Sequence, residues 1–393
     1  MLNKSIIGQV IEDQARSKHE RDWIERDTRL PLKSKKIIIV SGVRRCGKST
    51  LVKQILDQDS KSLYINFEDP RLVNFDGSDF LRLEELMKDQ GKTMLLLDEV
   101  QNVKQWEIYA RSAHERKIPM IITGSNASLL SRELGTKLTG RFKQVELFPF
   151  SYHEFIRYTG MTSGEESTSR YMELGGFPEH LDEKDKDYHR VLLRDIISRD
   201  IALRRNITNE TQLLRLSTHL LSNIGKEFSY NKLAKLLEFK SVRTVIDYCD
   251  YLQDSYLVEY VPMYATSIKK QIANPKKVYA IDPAFAWSNS LSFSQDLGRR
   301  LENMVYLKLR YSHPEIFYYR NQGSECDFLV KEDERIHSLI QVCWDLNLDN
   351  QERELRGLQK AMEETGARDG MIVTFIQEDE LEGIPVVPAW KWL

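Results

Sequence analysis

Cysteine is scarce. Cys46, Cys249, Cys326 and Cys343 are the four in 393 residues, with no C-x-x-C pair and no His/Cys spacing suited to zinc. That scarcity argues against a disulfide-stapled secreted fold and a zinc module, and reduced thiols in a cytoplasmic protein are expected. Long apolar runs are missing too. No stretch reaches the roughly 18 apolar residues of a membrane span, and the opening MLNKSIIGQVIEDQARSKHERDW is too charged for a signal peptide. Nor is there an excess of one charge: 57 Lys and Arg face 59 Asp and Glu, for a net charge of −2. Nucleic acid would therefore have to meet a local basic patch, not a basic molecule. What remains is an ordinary globular balance, 41% hydrophobic and 30% charged, in a chain long enough for two or three domains.

The stretch SGVRRCGKST fits G-x-x-x-x-G-K-[ST], with Gly42, Gly47, Lys48 and Ser49 at the fixed positions. Before it, KKIIIV reads as a buried strand. After it, STLVKQILDQ has apolar residues at helical spacing. A glycine-rich loop between a strand and a helix lets backbone N–H groups wrap phosphates at the positive helix end. The expected ATP-binding residues are Gly42, Val43, Arg44, Arg45, Cys46, Gly47, Lys48, Ser49 and Thr50. Lys48 is expected to reach the β- and γ-phosphates, and Ser49 to ligate Mg²⁺.

A second apolar run, TMLLLDEV, ends in Asp98 and Glu99. Carboxylates at the tip of a buried strand sit in the ligand crevice of an open α/β sheet. Asp98 is expected to hold Mg²⁺ through water and Glu99 to polarise the attacking water. The run SLYINF lies between the two. A further strand between the Lys strand and the Asp strand, with Glu after that Asp, resembles the P-loop class that includes AAA+ ATPases. That likeness implies a γ-phosphate sensor at the tip of IPMIITGSNASLL, at Ser125 or Asn126. It also implies a trans-acting arginine at Arg141 in LTGRFKQVELFPF, with Arg132 as runner-up. A solvated surface arginine is an equal reading of Arg141. NFEDPRL places Glu68, Asp69 and Arg71 in an acidic turn.

Past the sheet, residues 151–208 read as a helical lid and linker, broken at Gly175-Gly176-Phe177-Pro178. Arg194, Arg199, Arg204 and Arg205 alternate there with Asp195 and Asp200 as a solvated, ion-paired face. Residues 209–290 read as three helices and a β-hairpin, a winged helix-turn-helix with N-caps at Ser229 and Ser241. DNA binding needs a basic third helix, and here Arg243 is accompanied by Asp247 and Asp250. Only a basic loop with Lys269, Lys270, Lys276 and Lys277 favours DNA, so protein contacts stay open. Residues 291–393 give helix, three strands, helix, strand, the core order of restriction endonucleases. Glu302 and Asp327 fit two acidic positions of that fold. The next strand offers Gln341 and Cys343 where a carboxylate and a lysine are needed, so nuclease activity is not expected. Lys308 and Lys331 are candidate replacement lysines.

Together, SGVRRCGKST, INFEDPRL, LLLDEV, ITGSN, LTGR, GGFPE, RDI, GRRLEN, SECDFLV and LIQVCW resemble a prokaryotic AAA+ ATPase family. Its members join an N-terminal P-loop domain to a C-terminal domain of unknown function related to restriction endonucleases. The resemblance implies an α/β fold: an AAA+ domain with a parallel sheet over 1–150, a lid, a winged helix, and an endonuclease-like domain. It also implies ATP and Mg²⁺ as cofactors and assembly as a homo-oligomeric ring; the protein partner is unidentified, and the lack of an apolar span leaves no membrane association expected. The expected activity is ATP hydrolysis that drives or gates the downstream modules. Two alternatives are a DNA-processing ATPase with an active nuclease and a slow, nucleotide-switched scaffold for protein interaction.

Overall fold

Ile37–Ser41 (β1) is buried at every position, as a β-branched run must be when both strand faces are covered. The computed structural model describes residues 2–16, 23–125, 140–291, 296–321, 323–333 and 335–393. The chain divides into two compact units, Met1–Phe148 and Pro149–Leu393. In the first unit α1 (Lys4–Arg16) precedes β1. Then come α2 (Lys48–Gln58), β2 (Ser62–Asn66), α3 (Phe80–Asp89), β3 (Met94–Asp98), α4 (Trp106–Glu115), β4 (Met120–Gly124) and β5 (Phe142–Glu146). Every pairing in their sheet is parallel, in the order β2-β3-β4-β1-β5. Parallel strands bring all their C-terminal ends to one edge. The glycine loop, Asp98 and Ser125 share that edge.

Chain order and spatial order differ here. SLYIN forms β2, which lies outside the Asp strand, and β4 is the strand inserted between β1 and β3. A crossover connection can skip a place in the sheet, so sequence adjacency did not settle the neighbour. Helix α1, which charge alone gave no reason to expect, buries Ile7, Val10 and Ile11. They are spaced to share one helical face and join Phe80, Leu83 and Trp106 in the core.

The second unit opens with α5 (Tyr152–Thr159), α6 (Glu165–Leu174), α7 (Pro178–Glu183) and α8 (Tyr188–Asp195), which runs on through a π-helical stretch, Ile196–Ala202. The solvated face expected here is partly wrong. Asp200 is buried and pairs with Arg204 at 3.2 Å, because the wider turn carries it inward.

Next come α9 (Glu210–Leu221), β6 (Glu227–Phe228), α10 (Tyr230–Leu236), α11 (Val242–Asp254), β7 (Val258–Pro262), α12 (Ile268–Ala273), β8 (Lys276–Ala280) and α13 (Pro283–Ser288). Three helices and a sheet in the order β6-β8-β7 make a winged-helix topology. Ser229 and Ser241 accept from the N–H groups of Lys232 and Arg243 and so cap α10 and α11. The expected wing loop contains α12.

The chain ends with α14 (Leu297–Ser312), β9 (Glu315–Asn321), β10 (Ser324–Glu332), β11 (Arg335–Cys343), α15 (Gln351–Thr365) and β12 (Gly370–Thr374). After these come β13 (Asp379–Leu381), β14 (Ile384–Pro388) and α16 (Ala389–Trp392). Strands β9 to β11 form an antiparallel meander, and β12 and β14 add in parallel. The last two strands are not legible in the sequence, β13 being three residues long and β14 carrying two prolines. Among the described residues no helix is long and apolar enough to cross a membrane.

The Gly175-Gly176 break is set by close packing. A Cβ on Gly176 would stand 2.2 Å from the Phe150 carbonyl oxygen. The Gly176 N–H donates to Asp282 Oδ2 at 2.6 Å, and Asp282 Oδ1 accepts from the Phe285 N–H that starts α13. Asp282→Ala should destabilise the second unit by roughly 2–4 kcal/mol, for a lost cap and an unpaired buried N–H, read by denaturant unfolding. Burial outweighs these donors and pushes the Asp282 carboxyl up to about 6. The folded state therefore holds this proton more tightly than the unfolded chain. Its stabilising contribution is complete below the ordinary Asp pKa of about 3.9 and is lost as pH rises through the folded value. Relative to Asp282→Asn, wild-type stability should fall across about pH 4–6.

Candidate functional site

The glycine loop leaves β1 at Ser41 and enters α2 at Lys48. A Cβ on Gly42 would lie 2.0 Å from the Leu147 carbonyl oxygen, so only glycine fits that approach. Gly47, at φ 100°, turns the chain into α2 through left-handed backbone that favours glycine. The first amides of α2 have no intrahelical acceptor and face outward at the positive end of the helix. Val43 and Cys46 are buried, Arg45 is exposed, and Arg44, Ser49 and Thr50 are intermediate. Lys48 is 4% exposed. Its Nζ donates to the Gly42 and Val43 carbonyls at 3.0 and 2.9 Å, so the loop curls around the ammonium. Arg44 pairs with Glu68 at 3.4 Å.

The loop also has a brace that the sequence did not disclose. Buried Arg26 donates to the Cys46 carbonyl at 3.0 Å and to the Phe148 carbonyl at 2.7 Å. Cys46 Sγ donates to the Leu147 carbonyl at 3.2 Å, and burial raises its thiol pKa. Its place in the loop is one of packing.

Asp98 is fully buried at the tip of β3. One carboxylate oxygen accepts from Tyr64 Oη at 2.7 Å and Asn66 Nδ2 at 3.2 Å; the other accepts from the Thr123 hydroxyl. Thr123 Oγ1 in turn accepts from the Glu99 N–H at 3.0 Å. The next strand thus positions both acidic residues. Glu99 has left-handed backbone, φ 52°, conformational strain of a kind that gathers at functional sites. Gln101 Nε2 donates to its carboxylate. Burial lifts the Glu99 carboxyl above the ordinary carboxylate range; Lys48 opposes the shift, and Asp98 adds to it. Ser125 is buried just past β4, between the tips of β3 and β1. The other sensor candidate, Asn126, and the runner-up Arg132 lie outside the described residues.

Arg141 stands at the opposite end of the sheet. Its carbonyl accepts from the N–H of Ile37, the first residue of β1. That places it about 13 Å along the strand from the loop, at roughly 3.3 Å per residue. Its guanidinium lies 3.6 Å from Glu115. The acidic turn splits in role: Asp69 caps Pro70–Leu72 and pairs with Arg71, which also reaches Asp13 at 2.6 Å.

In the second unit, Glu302 on α14 and Asp327 on β10 come together as expected. Lys331 does not supply the lysine, since it pairs with Glu315 at 3.7 Å. The lysine beside them is Lys277, expected in a basic loop. It is buried on β8, with Nζ 3.1 Å from Glu302, 2.9 Å from Asp327 and 3.3 Å from Glu325. Gln341 turns both ends inward, accepting from the Asp327 N–H and donating to Glu354. Cys343 packs in the apolar cluster with Leu355 and Leu358.

The profile of a family described as an AAA domain matches residues 34–156, and a domain of unknown function, DUF8612, matches residues 165–295. Uncharacterized protein MJ1544 of Methanocaldococcus jannaschii is 32% identical over all of this chain and 96% of its own length. An uncharacterized protein of Haemophilus influenzae is 27% identical over 91% of this chain and 94% of its own. The solved structure of Aeropyrum pernix Orc1 in complex with DNA aligns with 73% of this chain and 90% of that one, at 10% identity and a TM-score of 0.27, too low to carry an argument.

Proposed function

The chain belongs to the same family as the Methanocaldococcus jannaschii protein and carries an AAA domain, and from that premise we propose that it is a Mg²⁺-dependent ATPase of the AAA+ class. The observation that carries this reading is the shared sheet edge, where the Lys48 loop, Asp98, Glu99 and Ser125 converge. In this reading, ATP lies on the loop from Gly42 to Thr50. Lys48 neutralises the β- and γ-phosphates. Ser49 and Asp98 hold Mg²⁺, which when bound supplies charge neutralisation at the phosphoryl oxygens. Asp98 acts through water, because its oxygens already accept from Tyr64, Asn66 and Thr123. Glu99 takes the proton of the attacking water. Ser125, with Asn126, senses the γ-phosphate.

Residues 151–208 are the lid and linker, 209–290 the winged helix, and 291–393 an inactive nuclease-like module. The four cysteines are free thiols, as suits a cytoplasmic protein. Along α11, Arg243 pairs with Asp247 at 3.0 Å, and Asp250 adds negative charge. That balance favours a winged helix that meets protein, either a second copy or a separate partner, over one that reads DNA. Phosphate release should therefore be unchanged by duplex DNA; strong stimulation would instead support a DNA-processing enzyme.

Arg141 serves a neighbouring subunit in a ring. Its place at the far end of the sheet rules out its own loop. Its partly exposed pair with Glu115 contributes at most about 1 kcal/mol, which a phosphate outcompetes. Arg141→Ala should slow turnover by roughly 10³-fold in the assembled state. Mixed oligomers of Arg141→Ala and Lys48→Ala should recover activity, each subunit supplying what the other lacks. A demonstrably mixed oligomer with no recovery removes Arg141 from this role.

A further inference from the structure

Endonuclease-like folds imply a divalent metal held between carboxylates. The residues of this module do not fit one. The place where Glu302, Asp327 and Glu325 converge already carries the Lys277 ammonium, within 3.3 Å of an oxygen from each. The remaining oxygen of Asp327 accepts from the Val342 N–H at 3.0 Å. The Gln341 side-chain oxygen Oε1, which would be the fourth donor, accepts from the Asp327 N–H at 3.2 Å. Tyr279, two residues from Lys277 on the same strand face, donates to Glu302 at 2.6 Å. These donors leave the carboxylates turned toward an internal cation.

We propose that Lys277, on β8 of the stretch 209–290, is the resident cation of this carboxylate cluster: its ammonium takes the place of a divalent metal, and replacing it with a neutral side chain creates a divalent-cation site. The inference extends the reading of residues 291–393 as inactive but needs no cleavage activity and no part of the ATPase reading. Its physical basis is charge balance. Two buried carboxylates within reach of one another require a cation. A lysine on a four-carbon stem supplies one positive charge and three donors. A divalent metal would need open oxygen ligands, and the Glu302, Asp327 and Glu325 oxygens that converge here are taken by the Lys277 ammonium.

The protonation behaviour agrees with this balance. Burial opposes the charge on Lys277, but Asp327 and Glu302 outweigh it and hold the ammonium ionised. One ammonium does not fully offset two buried carboxylates, and burial with the Asp327 charge lifts Glu302 to about 7. The cluster therefore already holds a cation where a divalent metal would sit.

The test uses full-length protein without nucleotide and Mn²⁺ as the probe, followed by electron paramagnetic resonance. Wild type should bind no Mn²⁺ at this cluster, so its titration is the same as that of Asp327→Asn. Lys277→Met, which keeps the length and removes the charge, should gain one equivalent, lost again in Lys277→Met/Asp327→Asn. Mn²⁺ should raise the melting temperature of Lys277→Met but not of wild type. A wild-type Mn²⁺ site lost in Asp327→Asn overturns the proposal, and so does a folded Lys277→Met that binds none. If Lys277→Met does not fold alone, Mn²⁺ or the added Glu302→Gln change should restore it by relieving carboxylate repulsion. Failure of both also overturns the proposal. DNA cleavage by wild type, by contrast, would refute the inactive reading without bearing on which cation sits in the cluster.

Discussion

A Lys48→Ala variant should show no heat of ATP binding at concentrations where wild type saturates. Lys48 is buried, with its ammonium held between the Gly42 and Val43 carbonyls at the start of α2. The substitution removes the cation proposed for the β- and γ-phosphates and the donor around which the loop curls. Hydrogen bonds to charged groups contribute roughly 1.5–3 kcal/mol each. Two of them correspond to a loss of about 10²–10⁴-fold in affinity, before any loosening of the loop. Arg44 and Arg45 do not substitute, since Arg44 is engaged with Glu68 and Arg45 is exposed. Near wild-type affinity in a folded variant would remove the loop from nucleotide binding.

Glu99→Gln should bind ATP as wild type does and hydrolyse it at least about 10²-fold more slowly, the scale of a positioned general base. The amide keeps the shape and the contact with Gln101 but cannot take a proton. The Glu99 pKa is raised chiefly by burial, which fixes the sign of the pH dependence. As pH falls, Glu99 protonates sooner than an exposed carboxylate, so turnover should decline at a higher pH than an ordinary Glu would give. That decline should be absent from the residual rate of Glu99→Gln. Turnover within a few-fold of wild type would assign the water to another residue.

The phosphate loop was legible because its chemistry is a backbone requirement. Gly42 has no room for a Cβ, and Gly47 has left-handed geometry, so the glycine spacing reports the loop directly. Asp98 and Glu99 were legible as carboxylates ending an apolar run. The residues that hold them were not. Tyr64, Thr123 and Arg26 meet their partners across 34, 25 and 20 residues of chain, contacts that no local period encodes. Arg26 sits in the charged run ERDWIERDTRL, where nothing sets it apart from its neighbours.

Lys277 is the most instructive miss. Lysines at 269, 270 and 276 made the stretch look like one basic surface, and the first two are exposed on α12. Yet KKVYA is buried on both faces from its second residue onward. A lysine inside such a strand requires a buried anion. Asp327 and Glu302 were already in view as carboxylates without a cation, and charge balance was the signal that joined them. The sheet order was missed for a different reason: β4 enters between β1 and β3 by a crossover, and strand patterns record burial but not neighbours.

The most direct measurement is steady-state phosphate release by the purified full-length protein with ATP and Mg²⁺, beside Lys48→Ala. An ATPase built on the Lys48 loop and the Asp98-Glu99 strand tip should release phosphate with Mg²⁺, cease when the metal is chelated, and lose release in Lys48→Ala. Release that persists undiminished in Lys48→Ala, or a wild-type protein that neither binds nor turns over ATP, would contradict it.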